Sequence, residues 1–469
     1  MNANQSRRNS LIALLLRWHA RVGMVVGVAI ICWGLSGLSH PIISRIQPVA
    51  DAFAYKLEAL VSADLLSVAE AANRAGVIGD ASAVRLLAWQ GRPCYRIVVA
   101  GEAVWLDARS GEVIEHGETA YAAHLARHYL GDQRSAIRAM VLQTEFDGDY
   151  VYVNRLLPVW RVDFERGDGM RVYVDTASDR LGTMVNNTKA LSSAFFRNLH
   201  SWVFIENSTL RIGLMSLCLL GGGLIALAGI LQYYLQWRTG RPRRKNSALL
   251  RLHRGFGLAV AITAITFTAS GLYHLWQKQF LPSIAAVPAM VAPLAEVQLN
   301  WSMLSSTLVQ ADLIHIAQDH YFRVWAEGGM RYYSAQSGEQ LVNGEAIHAA
   351  AIAKAYLPVD APLLKMRTVT DFGGEYGFVN KRLPVIALDY DSTDHVSVYV
   401  EPRSGALAAI VRDSDRLEGL SFATLHKWHF IDGLGRNVRD SLSALFAAGV
   451  ATVFAMGMAL YIRRVRRRL

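Results

Sequence analysis

One stretch of this chain occurs twice, and it admits few folds. Residues 17–40 read RWHARVGMVVGVAIICWGLSGLSH and residues 251–274 read RLHRGFGLAVAITAITFTASGLYH. Laid on each other, Arg17 meets Arg251, His19 meets His253, Gly23 meets Gly257, Ser36-Gly37-Leu38 meets Ser270-Gly271-Leu272, and His40 meets His274. Each copy is an apolar helix with a histidine near both ends. Twenty-one residues separate the two histidines, about 31 Å along a helix at ~1.5 Å per residue. That is close to the ~30 Å hydrocarbon thickness of a bilayer. Twenty-one steps of ~100° stop about 60° short of whole turns, so both histidines of a copy face roughly the same way, one at each membrane face.

Ionisable side chains at membrane depth are costly and mark bundle interiors or functional sites. A single histidine at a helix end reads as an interfacial residue. Two at matching places in two copies ask for more, because neutral imidazole is a common metal and heme ligand. A pseudo-twofold axis between the helices would aim the paired rings at each other, as a six-coordinate heme iron requires.

Four apolar segments, about 22–38, 212–235, 258–275 and 442–462, approach the ~20 residues that span a bilayer. The first does not read as a cleaved signal peptide: Arg17, His19 and Arg21 interrupt its early apolar run and no small-residue cleavage pattern follows. A formal charge of +10 suggests nucleic acid until its distribution is read. Arg7, Arg8, Arg17 and Arg21 precede the first span. Arg238, Arg241, Arg243, Arg244, Lys245, Arg251 and Arg254 surround the loop between spans two and three. Arg463, Arg464, Arg466, Arg467 and Arg468 follow the fourth. All lie on one side of the membrane, and the positive-inside rule makes that side the cytoplasm. The expected order is therefore 1–40, cytoplasmic N-terminus and first span; 41–208, outer; 209–276, spans two and three with a basic loop; 277–440, outer; 441–469, fourth span and basic tail. Three cysteines, with no CxxC or CxxCH, give neither a disulfide framework nor covalent heme attachment.

The outer segments alternate helix and strand signals. Pro41 and Pro48 end the first helix. Leu65–Ala75 reads as a helix stopped by Gly76. Tyr95–Val99, Ala103–Asp107 and Glu112–Ile114 then read as a three-stranded meander. The pattern returns as helix Tyr121–Leu130 with strands Trp160–Phe164, Arg171–Asp175 and Leu181–Val185. A third set is Phe322–Trp325, a turn at Gly328-Gly329, Arg331–Ser334 and Gln340–Val342. Helix Ala346–Tyr356 opens the fourth, with strands Val385–Asp389, Val396–Glu401 and Leu407–Val411. Four small α+β units, two per outer segment, are expected.

A second repeat precedes spans two and four: FRNLHSWVFIE at 196–206 matches FATLHKWHFID at 422–432, pairing His200 with His426 and Trp202 with Trp428. The fold class expected is an α-helical membrane bundle of four spans with α+β outer modules, built by internal tandem duplication.

These residues carry a resemblance. The R-x-H-x3-G motifs at Arg17/His19/Gly23 and Arg251/His253/Gly257, the L-H-x-W motifs at His200 and His426, and strand-turn-strand endings such as Asp107–Gly111 resemble the PepSY-associated transmembrane family over nearly the whole chain. The resemblance implies periplasmic PepSY modules on a bacterial inner-membrane bundle. Some members resemble reductases that take iron from ferric siderophores, with non-covalent b-type heme in the four-helix bundle. One or two hemes would follow, with the lipid bilayer, a ferric siderophore or other ferric chelate, and quinol or a separate electron donor as partners, and no nucleic acid.

His19 and His253 are the expected ligand pair near the cytoplasmic face, against a reading as interfacial residues among arginines. Toward the outside, His40, His274, His200 and His426 all stay open as ligands, in symmetric or mixed pairs. His429 has Val203 as its counterpart, so no symmetric role. His124 and His128, at i,i+4, read as an exposed helix face in the absence of HExxH. Gly221-Gly222-Gly223 reads as close helix packing, or else as room beside a flat macrocycle. No Rossmann fingerprint or soluble flavin module is present, and no hydrolytic constellation stands out. The rival functions are a regulatory or peptide-binding PepSY protein without redox activity, and a transporter. The absence of acidic residues and broken helices in the spans argues against a transporter.

Overall fold

The computed structural model describes residues 3–238, 247–277, 279, 290–304, 307–326, 329–357 and 360–467. The expectations placed on Arg241, Arg243, Arg244, Lys245, Arg468 and Gly328 lie outside the described residues. The chain divides into two compact units, residues 1–47, 188–282 and 414–469, and residues 48–187 and 283–413.

The first unit is helical. Helices α1 (Ala3–Ile43), α5 (Ser208–Arg238), α6 (Ala248–Gln277) and α9 (Arg436–Arg466) contain the four stretches long and apolar enough to cross a membrane. They outrun the apolar segments because arginine-bearing turns continue them, and long basic side chains reach the interface from there. Pro41 does not end α1, as expected, but sits inside it, and the helix runs on to Ile43. The ring's fixed φ suits a helix, and the backbone bond it forfeits lies in the last turns, where little is lost.

The spans pack in the cyclic order α1, α5, α6, α9 around Val26, Ile30, Ile225, Val260, Ala264, Val450 and Val453. Helices approach closely at small residues. A Cβ on Gly34 would stand 2.7 Å from Ala451 Cβ, and Cβ atoms on Gly221 and Gly222 would stand 2.8 and 2.7 Å from side-chain carbons of Val26 and Ile30. Gly221 and Gly222 thus serve helix packing. Two shorter helices, α4 (Asn187–Ser201) and α8 (Asp413–Ser421), precede α5 and α9, and α8 continues into a π-helical turn at Phe422–His426.

The second unit holds three antiparallel sheets. Strands β2 (Asp80–Trp89), β3 (Arg92–Val99) and β4 (Glu102–Asp107) follow helix α2 (Val68–Ala75), which Ser67 caps through the Glu70 N–H and Gly76 ends in a left-handed turn. They join β10 (Thr307–Ile316), β11 (Asp319–Ala326) and β12 (Gly329–Ser334) in one sheet of order β12-β11-β10-β2-β3-β4, with short strands β1 (Leu60–Val61) on β10 and β9 (Ala292–Pro293) on β2. Ala311 stands opposite Leu86 at the β10–β2 join. Two meanders complete the unit. One is β5 (Ile137–Gln143), β6 (Val159–Phe164), β7 (Arg171–Asp175) and β8 (Arg180–Val185), covered by α3 (Gly117–Leu130). The other is β13 (Leu363–Val369), β14 (Val385–Tyr390), β15 (Ser397–Glu401) and β16 (Ala406–Val411), covered by α7 (Gly344–Tyr356).

Three expectations change. The expected third strands at Glu112–Ile114 and Gln340–Val342 are reduced to single bridges at Val113 and Gln340. In their place β2 and β10 complete the sheet. Along β2 the run from Val84 to Trp89 is buried on both faces, so it shows no alternation to read. The later meanders have four strands, not three: β5 and β13 add an edge strand to each. Among the described residues between α6 and β10 there is no α-helix; short 3-10 turns at Leu294–Glu296 and Trp301–Met303 stand there.

One buried carboxylate ties this unit together. Asp179 accepts from Arg85 on β2 and, at 2.7 Å, from Tyr121 on α3; Arg403, in the turn before β16, reaches it at 2.6 Å. Burial alone would raise its pKa; Arg85 and Arg403 overcome that and hold it down at about 2.

Candidate functional site

His19 on α1 and His253 on α6 meet across the interior of the bundle, with ring centroids 6.1 Å apart and planes inclined at 72°. Both line a cavity of about 850 Å³ at the end of the bundle that carries Arg17, Arg251 and Arg464. Each ring is backed by a glycine of the next helix. His253 Cε1 lies 3.2 Å from where a Cβ of Gly457 would stand, and His19 Cε1 3.5 Å from that of Gly229.

One turn before each glycine stands a carbonyl. His253 Nδ1 is 3.1 Å from Val453 O. Ile225 stands at the matching place beside His19, whose Nδ1 is buried without a hydrogen-bond partner. A carbonyl only accepts, so His253 Nδ1 carries the proton and Nε2 keeps the lone pair. This is the second-sphere arrangement that orients a ligating imidazole.

The pair suits one shared metal. Two imidazoles that shared one metal at bonds of about 2.0–2.1 Å would stand with their centroids roughly 6 Å apart. Among the described residues no group of three or more His, Cys, Asp or Glu is arranged to hold a metal ion. A metal already held in a macrocycle would ask only two imidazoles of the protein, and the cavity offers apolar walls for such a group.

The four histidines at the opposite end are sorted by their neighbours. His200 Nδ1 is 3.0 Å from Ser36 Oγ, whose single proton goes to Trp33 O at 2.9 Å. Ser36 therefore accepts from His200 Nδ1–H, and His200 Nε2 keeps its lone pair. His426 stacks on Phe422, and its buried Nδ1 has no hydrogen-bond partner. Burial pushes the His200 imidazole down to about 4, helped by Lys427 and His40. It pushes His426 down to about 3, with His200 among the charges that repel its proton. Both rings are thus held neutral, the form that ligates.

His40 and His274 are differently engaged. Lys427 Nζ stands 3.5 Å from His40 Nε2 and can only donate, so that lone pair is taken up. His274 Nδ1 pairs with the Glu418 carboxylate. Sequence reasoning passed over Lys427 and Glu418, whose counterparts by the His200/His426 alignment are Ser201 and Ser192.

The L-H-x-W motifs share one backbone signature. Trp202 and Trp428 both take left-handed φ, 51° and 57°, a costly conformation for a bulky residue and one that clusters at functional sites. Trp202 stacks flat on Trp33 at 5.2 Å, while Trp428 meets Phe446 edge-on at 5.2 Å.

Seven further histidines have local partners. His124 Nε2 is 3.0 Å from Tyr55 Oη and His128 Nε2 3.2 Å from Ala54 O; this helix face covers Tyr55 and is not the exposed face expected. His429 pairs with Asp432 and Arg439, and His395 with Asp413. His315 and His320 face each other across the β10–β11 hairpin at 2.8 Å. His348 is 2% exposed beside Tyr332, and burial drives it down to about 3.

Four apolar helices, a histidine pair inside their bundle and a second unit of antiparallel sheets define a multi-pass membrane protein with α+β domains. The family model described as the PepSY-associated TM region matches residues 16–464, and the chain belongs to that family. No curated protein matches it.

Proposed function

We propose that this protein carries electrons across a bacterial inner membrane by way of non-covalent b-type heme and delivers them to a ferric chelate, such as a ferric siderophore, in the periplasm. The observation that carries the reading is the His19–His253 pair: two imidazoles 6.1 Å apart in one cavity, with His253 Nδ1 tied back to a carbonyl. His19 and His253 would hold one heme. His200 and His426, both held neutral, would hold a second, while His40 and His274 serve Lys427 and Glu418. Bound there, heme iron supplies reversible one-electron chemistry; the protein supplies neutral ligands, apolar walls and exclusion of water.

In this reading the arginine-bearing end faces the cytoplasm by the positive-inside rule, both termini are cytoplasmic, and the sheet unit is periplasmic. The matching order of span, modules, histidine motif and span reflects a tandem duplication. Electrons enter from quinol or a separate donor protein.

The test is an absorption spectrum of the purified protein before and after dithionite. Sharp reduced bands of a six-coordinate low-spin heme, removed by acid–organic extraction, are expected. A colourless protein that stays colourless after reconstitution with hemin would leave the regulatory, partner-binding reading in its place.

A further inference from the structure

The cavity around His19 and His253 is twofold in its backbone but not in its charge. Gly229 of α5 and Gly457 of α9 occupy equivalent places against the two rings. Counted on from them, Tyr233 and Tyr461 match, but Gln236 answers to Arg464. Counted from the histidines, Ala20 of α1 answers to Arg254 of α6. All of these line the cavity. One flank, α6 and α9, therefore offers two guanidinium groups where the other offers a methyl group and an amide. No Asp or Glu is among the described lining residues.

Both arginines belong to the basic clusters at the membrane face, yet both line the cavity beside the imidazole pair. A guanidinium is matched best by a planar carboxylate taken through paired N–H donors. The two guanidinium groups stand at different depths of the cavity wall. Arg254 is the residue after His253, and Arg464 lies seven residues beyond Gly457, about 10 Å further toward the arginine-bearing end at ~1.5 Å per residue. The opposite flank adds one more sign of an absent acceptor. Gln232, 6% exposed and lining the cavity, has a buried Nε2 without a hydrogen-bond partner.

We propose that the α6–α9 flank receives the carboxylates of the cavity's ligand, Arg464 at the arginine-bearing end and Arg254 beside the imidazole pair, so that the ligand is taken up in a single orientation. The inference rests on the reading of the cavity as a heme site. Arg464 sets affinity for the acids. Arg254 also acts on the redox equilibrium, because a fixed positive charge in a low-dielectric site disfavours the more positive, oxidised centre.

The experiment uses full-length protein expressed without heme, in zwitterionic-lipid nanodiscs, titrated with iron protoporphyrin IX and with its dimethyl ester. The signal read is the low-spin absorption that His19→Ala abolishes. Wild type should prefer the free acid at least tenfold. Arg464→Gln, alone and with Arg254→Gln, should bring that preference close to one by weakening acid uptake and leaving ester uptake unchanged, and Arg464→Lys should restore part of it. Arg254→Gln should lower the midpoint potential of the site while keeping the six-coordinate spectrum. Equal uptake of acid and ester by wild type, or a preference that survives both substitutions, would overturn this inference alone. So would an effect of the substitutions that appears only when anionic lipid is added, which would assign the arginines to headgroups. Uptake of neither form, with His19→Ala no different from wild type, would remove the heme reading and this inference with it.

Discussion

The two ends of the helical bundle hold histidines in different ways. At the arginine-bearing end His19 and His253 stand against equivalent stretches of backbone, each backed by a glycine of the neighbouring helix, although the charged side chains around them differ. At the other end four histidines gather and side chains without counterparts break the symmetry: Lys427 stands against His40 and Glu418 against His274, while Ser36 supports His200. Backbone and glycine are shared by both copies of a repeat, so they preserve a pair. Individual polar side chains let duplicated histidines take different work.

The largest expected effect separates the four histidines. His200→Ala and His426→Ala should each remove the heme component that is insensitive to His19→Ala, whereas His40→Ala and His274→Ala should leave it low-spin; heme-to-protein ratios and spectra of the four variants measure this. Loss of that component in His40→Ala with retention in His200→Ala would reverse the assignment.

Next come the glycines. Gly457→Leu drives a side chain into His253, and overpacking of this kind costs about 1–3 kcal/mol, roughly ten- to hundredfold in affinity. Gly229→Leu should do the same through His19. Heme titration should show both weakening the inner component alone, and Gly37→Leu, away from both rings, leaving it intact.

A buried imidazole outside both groups calibrates the comparison. The native state refuses a proton on His348 until about pH 3, against 6.5 when unfolded, so below 6.5 the unfolded state binds more protons and stability falls with pH. At pH 5 this amounts to about 2 kcal/mol. In thermal melts His348→Gln should shrink the destabilisation between pH 7 and pH 5 by about that amount, leaving a remainder from His315, which burial also depresses, to about 4.

The smallest effect is at Ser36. Removing its hydroxyl deprives His200 Nδ1 of an acceptor, worth about 1 kcal/mol. Ser36→Ala should weaken the outer component a few-fold in hemin titrations. Ser270→Ala should not, since Ser270 Oγ contacts Ser421 O and no histidine.

The spans, the His19–His253 pairing and most strands of the sheet unit could be read from residue pattern alone, because helical repeats and alternating strands state their own periodicity. What could not be read lies where the signal is tertiary. Strand β2 is buried on both faces and pairs with β10, more than two hundred residues away. Asp179, in the turn before β8, gives no hint of Arg85 and Arg403. At the site, Gly229 and Gly457 are single glycines in apolar helices, and their contact with imidazole carbons depends on how the helices seat. In the sequence Arg254 and Arg464 read as basic residues of the membrane face. Only the cavity shows that they share a wall with His253.

The central claim is that His19 and His253 act as one unit, each supplying one bond to the same heme. The direct measurement is heme content and low-spin spectrum in His19→Ala, His253→Ala and the double variant, with His124→Ala as control. Both single variants should lose the same component to the same extent, and the double should be little worse than either, since ligands that act together are not additive. Full heme occupancy with an unchanged low-spin spectrum in both single variants would contradict the account.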